Sequence, residues 1–135
     1  MRFEERTPAY GDMIRVKVKF YYHYGVFLDE NRVVQFGLPD NTGIPPEQIA
    51  VIMTDCQTFL QGGTVETACL TFWEKRRRRP PAKTEAYALS RLGQTGYHIL
   101  HNNCEHFAYD CVMGKPFCEL EQQALTALKQ EKSKK

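Results

Sequence analysis

From Ile14 to Phe20 the chain alternates without interruption: Ile14, Val16, Val18 and Phe20 are apolar, and Arg15, Lys17 and Lys19 stand between them. A period of two places successive side chains on opposite faces, so this stretch reads as a strand with one face packed and the other wet. The next run, Tyr22-His23-Tyr24-Gly25-Val26-Phe27-Leu28, is apolar on both parities, as a strand in a sheet interior is. Asp29-Glu30-Asn31 carries turn chemistry, and Arg32-Val33-Val34-Gln35-Phe36 reads as the return strand. Strands joined this tightly can only pair antiparallel, which makes such a sheet the framework of the fold. If the loop is those three residues, Leu28 opposes Arg32 and Gly25 opposes Gln35. His23 and Gln35 then leave the same face as diagonal neighbours. A loop one residue longer would put them on opposite faces.

The remainder alternates short strands with short helices. Gly37 to Pro46 is rich in turn residues; it suits a substrate lid, although plain connections of this composition are commoner. Gln48 to Met53 reads as a strand, and Thr54 or Asp55 as the cap of a brief helix through Leu60 that Gly62-Gly63 ends. Val65 to Phe72 reads as another strand. Lys75 to Arg79 is a basic run closed by Pro80-Pro81, expected as a solvated loop, with weak contact to an anionic membrane surface as its functional reading. Thr84 is the expected cap of a helix ending near Gly93, and Tyr97 to Leu100 a short strand. A helix begins at Cys104, carries Phe107, Ala108, Cys111 and Val112 on one face, and stops at Gly114 with Pro116 beyond. Glu119 to Lys132 is a last amphipathic helix, with Leu120, Ala124, Leu125 and Leu128 as its stripe, before a lysine-rich end. This is one α+β domain over residues 1–135, with its core at about 11–114 and a C-terminal helix and tail at 115–135.

Cys104 follows Asn102-Asn103, where an Asn N-cap would set it in the first turn of a helix. The unpaired N–H groups and the positive dipole end there favour a thiolate. A free thiol with a pKa of roughly 8.5 is only slightly ionised at neutral pH, and a helix start or an imidazolium can lower that value. The chain holds five cysteines, an odd number, and no signal-peptide pattern in residues 1–7, so a reduced, cytoplasmic setting is expected. A net charge of +2 gives no ground for a nucleic-acid partner, and no stretch approaches the roughly 20 apolar residues of a membrane span. Nothing in the sequence marks an oligomeric state.

A cysteine nucleophile needs a base and a group that orients the base. His106 sits two residues after Cys104, about 200° round the helix, and points away. His98 and His101 have no evident orienting partner. His23, with Gln35 on the same face, is the chemical choice, against the commoner case of a histidine that merely fills a core. A metal site is the rival: His101, Cys104, His106, Cys111 and Cys118 are dense, but they lack a Cys-x-x-Cys knuckle and face different ways. No metal and no cofactor are expected. Cys104 and Cys111 are roughly 10 Å apart along the helix, too far for a disulfide.

The strand His23–Leu28, the segment Arg32–Gly37 and Asn103-Cys104-Glu105-His106-Phe107 resemble the lecithin:retinol acyltransferase family, which includes the HRAS-like suppressor phospholipase/acyltransferases and bacterial and viral members such as this chain is expected to be. Gly11-Asp12, Phe59-Leu60-Gln61-Gly62-Gly63 and Ser90-Arg91-Leu92-Gly93 extend the likeness from about Gly11 to Gly114. The resemblance implies a circularly permuted papain-like fold of the NlpC type, with the histidine before the cysteine. It implies that Cys104 takes an acyl group from a phospholipid-like or other acyl ester as a thioester, with His23 as base, and passes it to an amine, alcohol or water. The family's third position is usually histidine; here Gln35 can fix the imidazole but adds no charge, so a slower site is expected. A cysteine amidase or peptidase, or a non-catalytic binding module on the same fold, are the alternatives.

Overall fold

The structure, a computed structural model, describes residues 1–41, 43–99 and 102–133. Among them six strands form one antiparallel sheet: β1 (Arg2–Glu4), β2 (Asp12–Val18), β3 (Tyr21–Asp29), β4 (Arg32–Phe36), β5 (Val51–Thr54) and β6 (Glu66–Cys69). Their spatial order is β1-β6-β2-β3-β4-β5, so β2 and β3 lie at the centre. Five helices accompany them: α1 (Cys56–Leu60), α2 (Phe72–Arg77), α3 (Pro81–Ser90), α4 (Cys104–Met113) and α5 (Glu119–Ser133). This α+β arrangement agrees with the permuted papain-like expectation, the histidine strand preceding the cysteine helix. No helix among the described residues is long and apolar enough to cross a membrane.

The alternating strand ends at Val18, two residues earlier than its pattern. Lys19 takes a positive φ of 53°, which starts the turn to β3 and throws Phe20 out to 98 % exposure. Arg15, on the face expected to be wet, is half-buried instead, its guanidinium stacked between the rings of Phe3 (4.1 Å) and Tyr22 (3.8 Å) and paired with Glu66. At the second hairpin Gly25 does oppose Gln35, but Asp29 rather than Leu28 opposes Arg32, and the register shifts between Phe27 and Asp29. The loop is thus shorter than expected, and a bulge at Leu28 restores the pairing that the site needs.

The sheet is packed on both faces. Met13, Val26, Leu28, Val34 and Phe36 meet Ala88 of α3 and Phe107, Ala108, Cys111 and Val112 of α4. On the other face Ile14, Val16, Phe27 and Val33 meet Cys56 and Phe59 of α1. The stripe read on α4 is therefore its buried face. On α5, by contrast, Leu125 and Leu128 are exposed.

Elsewhere local chemistry moved the boundaries. Asp55, not Thr54, caps α1 by accepting from the Thr58 N–H at 2.7 Å, and Gln61 takes the left-handed C-cap position ahead of the glycines. The strand expected over 48–53 begins only at Val51, after a 3-10 turn at Pro46–Gln48. The strand expected through Phe72 stops at Cys69, because Thr71 and Glu74 form a reciprocal capping box that opens α2. The basic run is split: Lys75 to Arg77 finish α2, while Arg78 and Arg79 turn inward to Asp12 and Asp110. Helix α3 starts at Pro81, so Thr84 is interior and fully buried, with its hydroxyl on the Arg79 carbonyl. Of the strand expected over 97–100 the structure holds one bridge, His98 to Asn102; Leu100 and His101 lie outside the described residues.

Gly25 shows how tight the centre is. A Cβ there would lie 2.7 Å from Phe59 Cε2 and 3.2 Å from Val33 Cγ1. Gly25→Ala is therefore expected to destabilise the fold by about 1–3 kcal/mol through overpacking, read as a lowered midpoint in denaturant at unchanged slope.

Candidate active site

Asn103 sets the start of α4. Its backbone is extended, and its side-chain oxygen accepts from the N–H groups of Glu105 (3.0 Å) and His106 (3.1 Å). His106 answers through Nδ1, which accepts from the Asn103 N–H at 3.2 Å, and its Nε2 meets Glu121 at 3.3 Å. The Asn103 amide nitrogen donates to the Ile99 carbonyl (2.7 Å) and to Cys118 Sγ (3.2 Å). One asparagine thus caps the helix, holds the preceding segment and anchors the chain leading into α5. His106 is spent on the cap and on α5.

Cys104 is the first residue of α4 and is 8 % exposed. Burial pushes its thiol up to about 12, against the pull of the Tyr24, Glu105 and Cys104 N–H groups, which favour the thiolate. The helix start does supply the donors expected of it. Loss of water outweighs them, so the resting sulfur is a thiol rather than the thiolate anticipated from position alone.

His23 and Gln35 are brought together as expected. His23 Nε2 lies 2.7 Å from Gln35 Oε1, and both side chains are buried. The direction of that bond follows from Thr54, which the sequence offers only as a helix cap. Thr54 donates its hydroxyl proton to the Asp55 carbonyl (3.0 Å) and so accepts from Gln35 Nε2 (2.7 Å). The glutamine must then present its oxygen to the imidazole, and His23 Nε2 carries the proton. Nδ1 is left with a free lone pair. Burial, only partly offset by the Gln35 bond, lowers the His23 pKa to about 4, so the ring is neutral at pH 7. Phe59 packs against it at 5.3 Å between ring centroids.

Strand parity assigns His23 to the α1 face with Gln35 and Phe59, and Tyr24 to the α4 face with Cys104. Residues from both faces border one space: the consecutive Tyr22, His23 and Tyr24 all line a cavity of about 630 Å³ that Cys104 also lines. Its other walls are apolar at Tyr21, Leu38, Ile49 and Ile99, and charged at Arg15 and Glu119. That volume is in the range of small-molecule sites. Glu105, raised by burial, accepts from the Glu119 N–H and from the side chains of Cys118 and Tyr24. Among the described residues no cluster of three His, Cys, Asp or Glu could hold a metal.

No neighbouring residue announces Thr54's part; only the β4–β5 register, Val33 opposite Thr54, puts its hydroxyl on the Gln35 face. Cys118 and Glu119 reach the cavity only through the fold. The raised thiol has a direct consequence. Alkylation needs the thiolate, so iodoacetamide should modify Cys104 more slowly than a free cysteine at pH 7, with a rate still climbing above pH 9. Peptide mass spectrometry of timed reactions gives the profile, and a rate at pH 6 above that of free cysteine would contradict a neutral resting site.

The sequence profile of the lecithin retinol acyltransferase family matches residues 6–117. Among curated proteins the chain is similar to lecithin retinol acyltransferase of Rattus norvegicus, 28 % identical over 135 residues, covering 84 % of this chain and 58 % of that protein. The Homo sapiens protein of that name is 27 % identical over 144 residues, covering 87 % of this chain and 63 % of its own length. That of Mus musculus is 26 % identical over 133 residues, covering 83 % and 57 %. The chain spans about three-fifths of the length of these relatives. The profile runs through both the strand that carries His23 and the helix that carries Cys104, and the chain belongs to the lecithin retinol acyltransferase family.

Proposed function

We propose that this protein is a thiol-dependent acyltransferase or acyl hydrolase that takes an acyl group from a phospholipid-like or other acyl ester, with Cys104 as nucleophile, His23 as base and Gln35 as the group that orients the base. The observation that carries this reading is the buried 2.7 Å bond between His23 Nε2 and Gln35 Oε1 beside a cavity shared with Cys104. A histidine held in one tautomer with its other nitrogen bare is prepared to accept a proton.

In the first half-reaction Cys104 Sγ gives its proton to His23 Nδ1 and attacks the acyl carbonyl carbon. The new S–C bond forms a tetrahedral intermediate, and the ester C–O bond then breaks. The His23 proton passes to the departing oxygen, which leaves as an alcohol and leaves a thioester on Cys104. In the second half an amine, alcohol or water gives its proton to His23 Nδ1 and attacks the thioester. The C–S bond breaks, and the sulfur recovers its proton from His23. The Tyr24, Cys104 and Glu105 N–H groups that favour the thiolate also stand ready for negative charge as it develops beside the sulfur. The apolar wall of Tyr21, Leu38, Ile49 and Ile99 suits an acyl chain.

Gln35 supplies orientation without charge, so the imidazolium formed in each half-reaction is held by geometry and by the sulfur alone. A neutral base with a pKa near 4 also sets the pH dependence. The base is lost only as pH falls towards that value, so kcat/KM should stay level from neutral pH down to about 5, where an unperturbed histidine near 6.5 would already have failed.

The test is intact mass after incubation with short-chain phosphatidylcholine or a p-nitrophenyl acyl ester. The native protein should gain one acyl mass. Cys104→Ala should gain none, and His23→Ala should form the adduct roughly 10²–10⁴-fold more slowly. Gln35→Ala should lose about tenfold, roughly 1.4 kcal/mol of barrier, and Thr54→Val should follow it in direction. No adduct on the native protein would sink the acyl-transfer reading and leave a cysteine amidase or peptidase, or a binding module, on this fold.

A further inference from the structure

Helix α2 presents a surface that the chemistry at Cys104 does not use. Phe72 and Trp73 are 64 % and 63 % exposed, and their rings pack edge to face at 5.2 Å. Lys75, Arg76 and Arg77 are exposed as well, and Arg76 lies 5.7 Å over the Phe72 ring. Among the described residues none of these three cations is in an ion pair. At 3.6 residues per turn, all five side chains fall within an arc of roughly 200°. Glu74, the single acid of the helix, is on the other side, bonded to the Thr71 N–H at 2.9 Å.

The neighbouring cations show that the arrangement is selective. Arg78 donates to the Gly11 carbonyl (2.7 Å) and faces Asp12; Arg79 pairs with Asp110 and stacks on Tyr87 at 4.2 Å. Two of the five basic residues hold the fold together, and three remain outside next to two aromatic rings.

We infer that α2 is a docking surface for an anionic phospholipid bilayer, with Phe72 and Trp73 seated at the level of the headgroups and Lys75, Arg76 and Arg77 against their negative charge. Amphipathic rings favour the membrane–water boundary, and cations nearby add electrostatic attraction to anionic lipid. A nucleic-acid groove would need a longer basic stripe than three residues on a six-residue helix. The surface is independent of the acyl-transfer reading and stands whatever Cys104 does.

Trp73 is the chain's single tryptophan, so its fluorescence reports on this surface alone. The protein is titrated with phosphatidylcholine vesicles, with and without roughly one-third phosphatidylserine. The expected result is a blue shift of Trp73 emission and co-sedimentation with the anionic vesicles, both reversed at about 1 M salt. Lys75→Glu, Arg76→Glu and Arg77→Glu combined should weaken binding by roughly 100-fold or more while keeping the fluorophore. Phe72→Ala with Trp73→Ala, followed by sedimentation, should weaken it too. Circular dichroism and the Cys104 alkylation profile check that each variant is folded. Unshifted emission on anionic vesicles, or sedimentation unchanged in the charge-reversed variant, overturns the inference. So does a dimer of the native protein that Phe72→Ala with Trp73→Ala abolishes, since the patch would then belong to a second copy.

Discussion

The site depends on a directed chain of hydrogen bonds inside the sheet: Asp55 carbonyl, Thr54 hydroxyl, Gln35 amide, His23 imidazole. Each donor–acceptor sense forces the next, because a threonine that donates to a carbonyl can only accept from the amide. The chain ends by placing the imidazole proton on Nε2 and leaving Nδ1 bare. Buried polar groups are expensive unless paired, and the Thr54 hydroxyl, the Gln35 amide and His23 Nε2 each have a partner in this chain. Pairing here therefore serves stability and chemistry at once. An uncharged glutamine can do this where a charged group would itself have to be desolvated.

Burial decides the charge state of the whole site. The start of α4 supplies two N–H groups that favour a thiolate and Tyr24 of β3 a third, yet loss of water pushes the thiol up to about 12 and the imidazole down to about 4. Both shifts favour neutral forms. The pair rests as thiol and imidazole, and charge separates only when a reaction demands it. Burial of both groups makes the separated charges attract strongly and makes the same N–H groups worth more than they would be in water. Polarity is thus kept in fixed dipoles, with the ring of Phe59 against His23 excluding water on one side.

Much of this was legible in the residues. Period-two alternation located β2, and apolar runs on both parities located β3 and β4. The Gly25–Gln35 pairing that unites His23 with Gln35 was read from turn length, although a bulge and a shorter loop together produced it. Asn103, Gly114 and the Phe107–Val112 stripe defined α4 because capping and burial agree there. Alternation misled at Phe20, where a turn begins inside the pattern. The Thr71–Glu74 capping box that opens α2 stands in the sequence, but the apolar run to Phe72 overlaps it and mimics a strand. Pro81 was the sign of α3 that Thr84 obscured. The contributions of Thr54, Cys118 and Glu119 had no local signal, since each reaches the site across strands or from a later helix. Cys104 was placed correctly and its ionisation was not: position is written in neighbouring residues, and desolvation only in the packed whole.

The central claim is that His23 rests neutral with its proton on Nε2. Nitrogen-15 NMR of the imidazole, across a pH titration of the folded protein, reads this directly. The expected result is a protonated, hydrogen-bonded Nε2 and a bare Nδ1 at pH 7, with no titration until pH falls below about 5. A proton on Nδ1, or an imidazolium at pH 7, would contradict it.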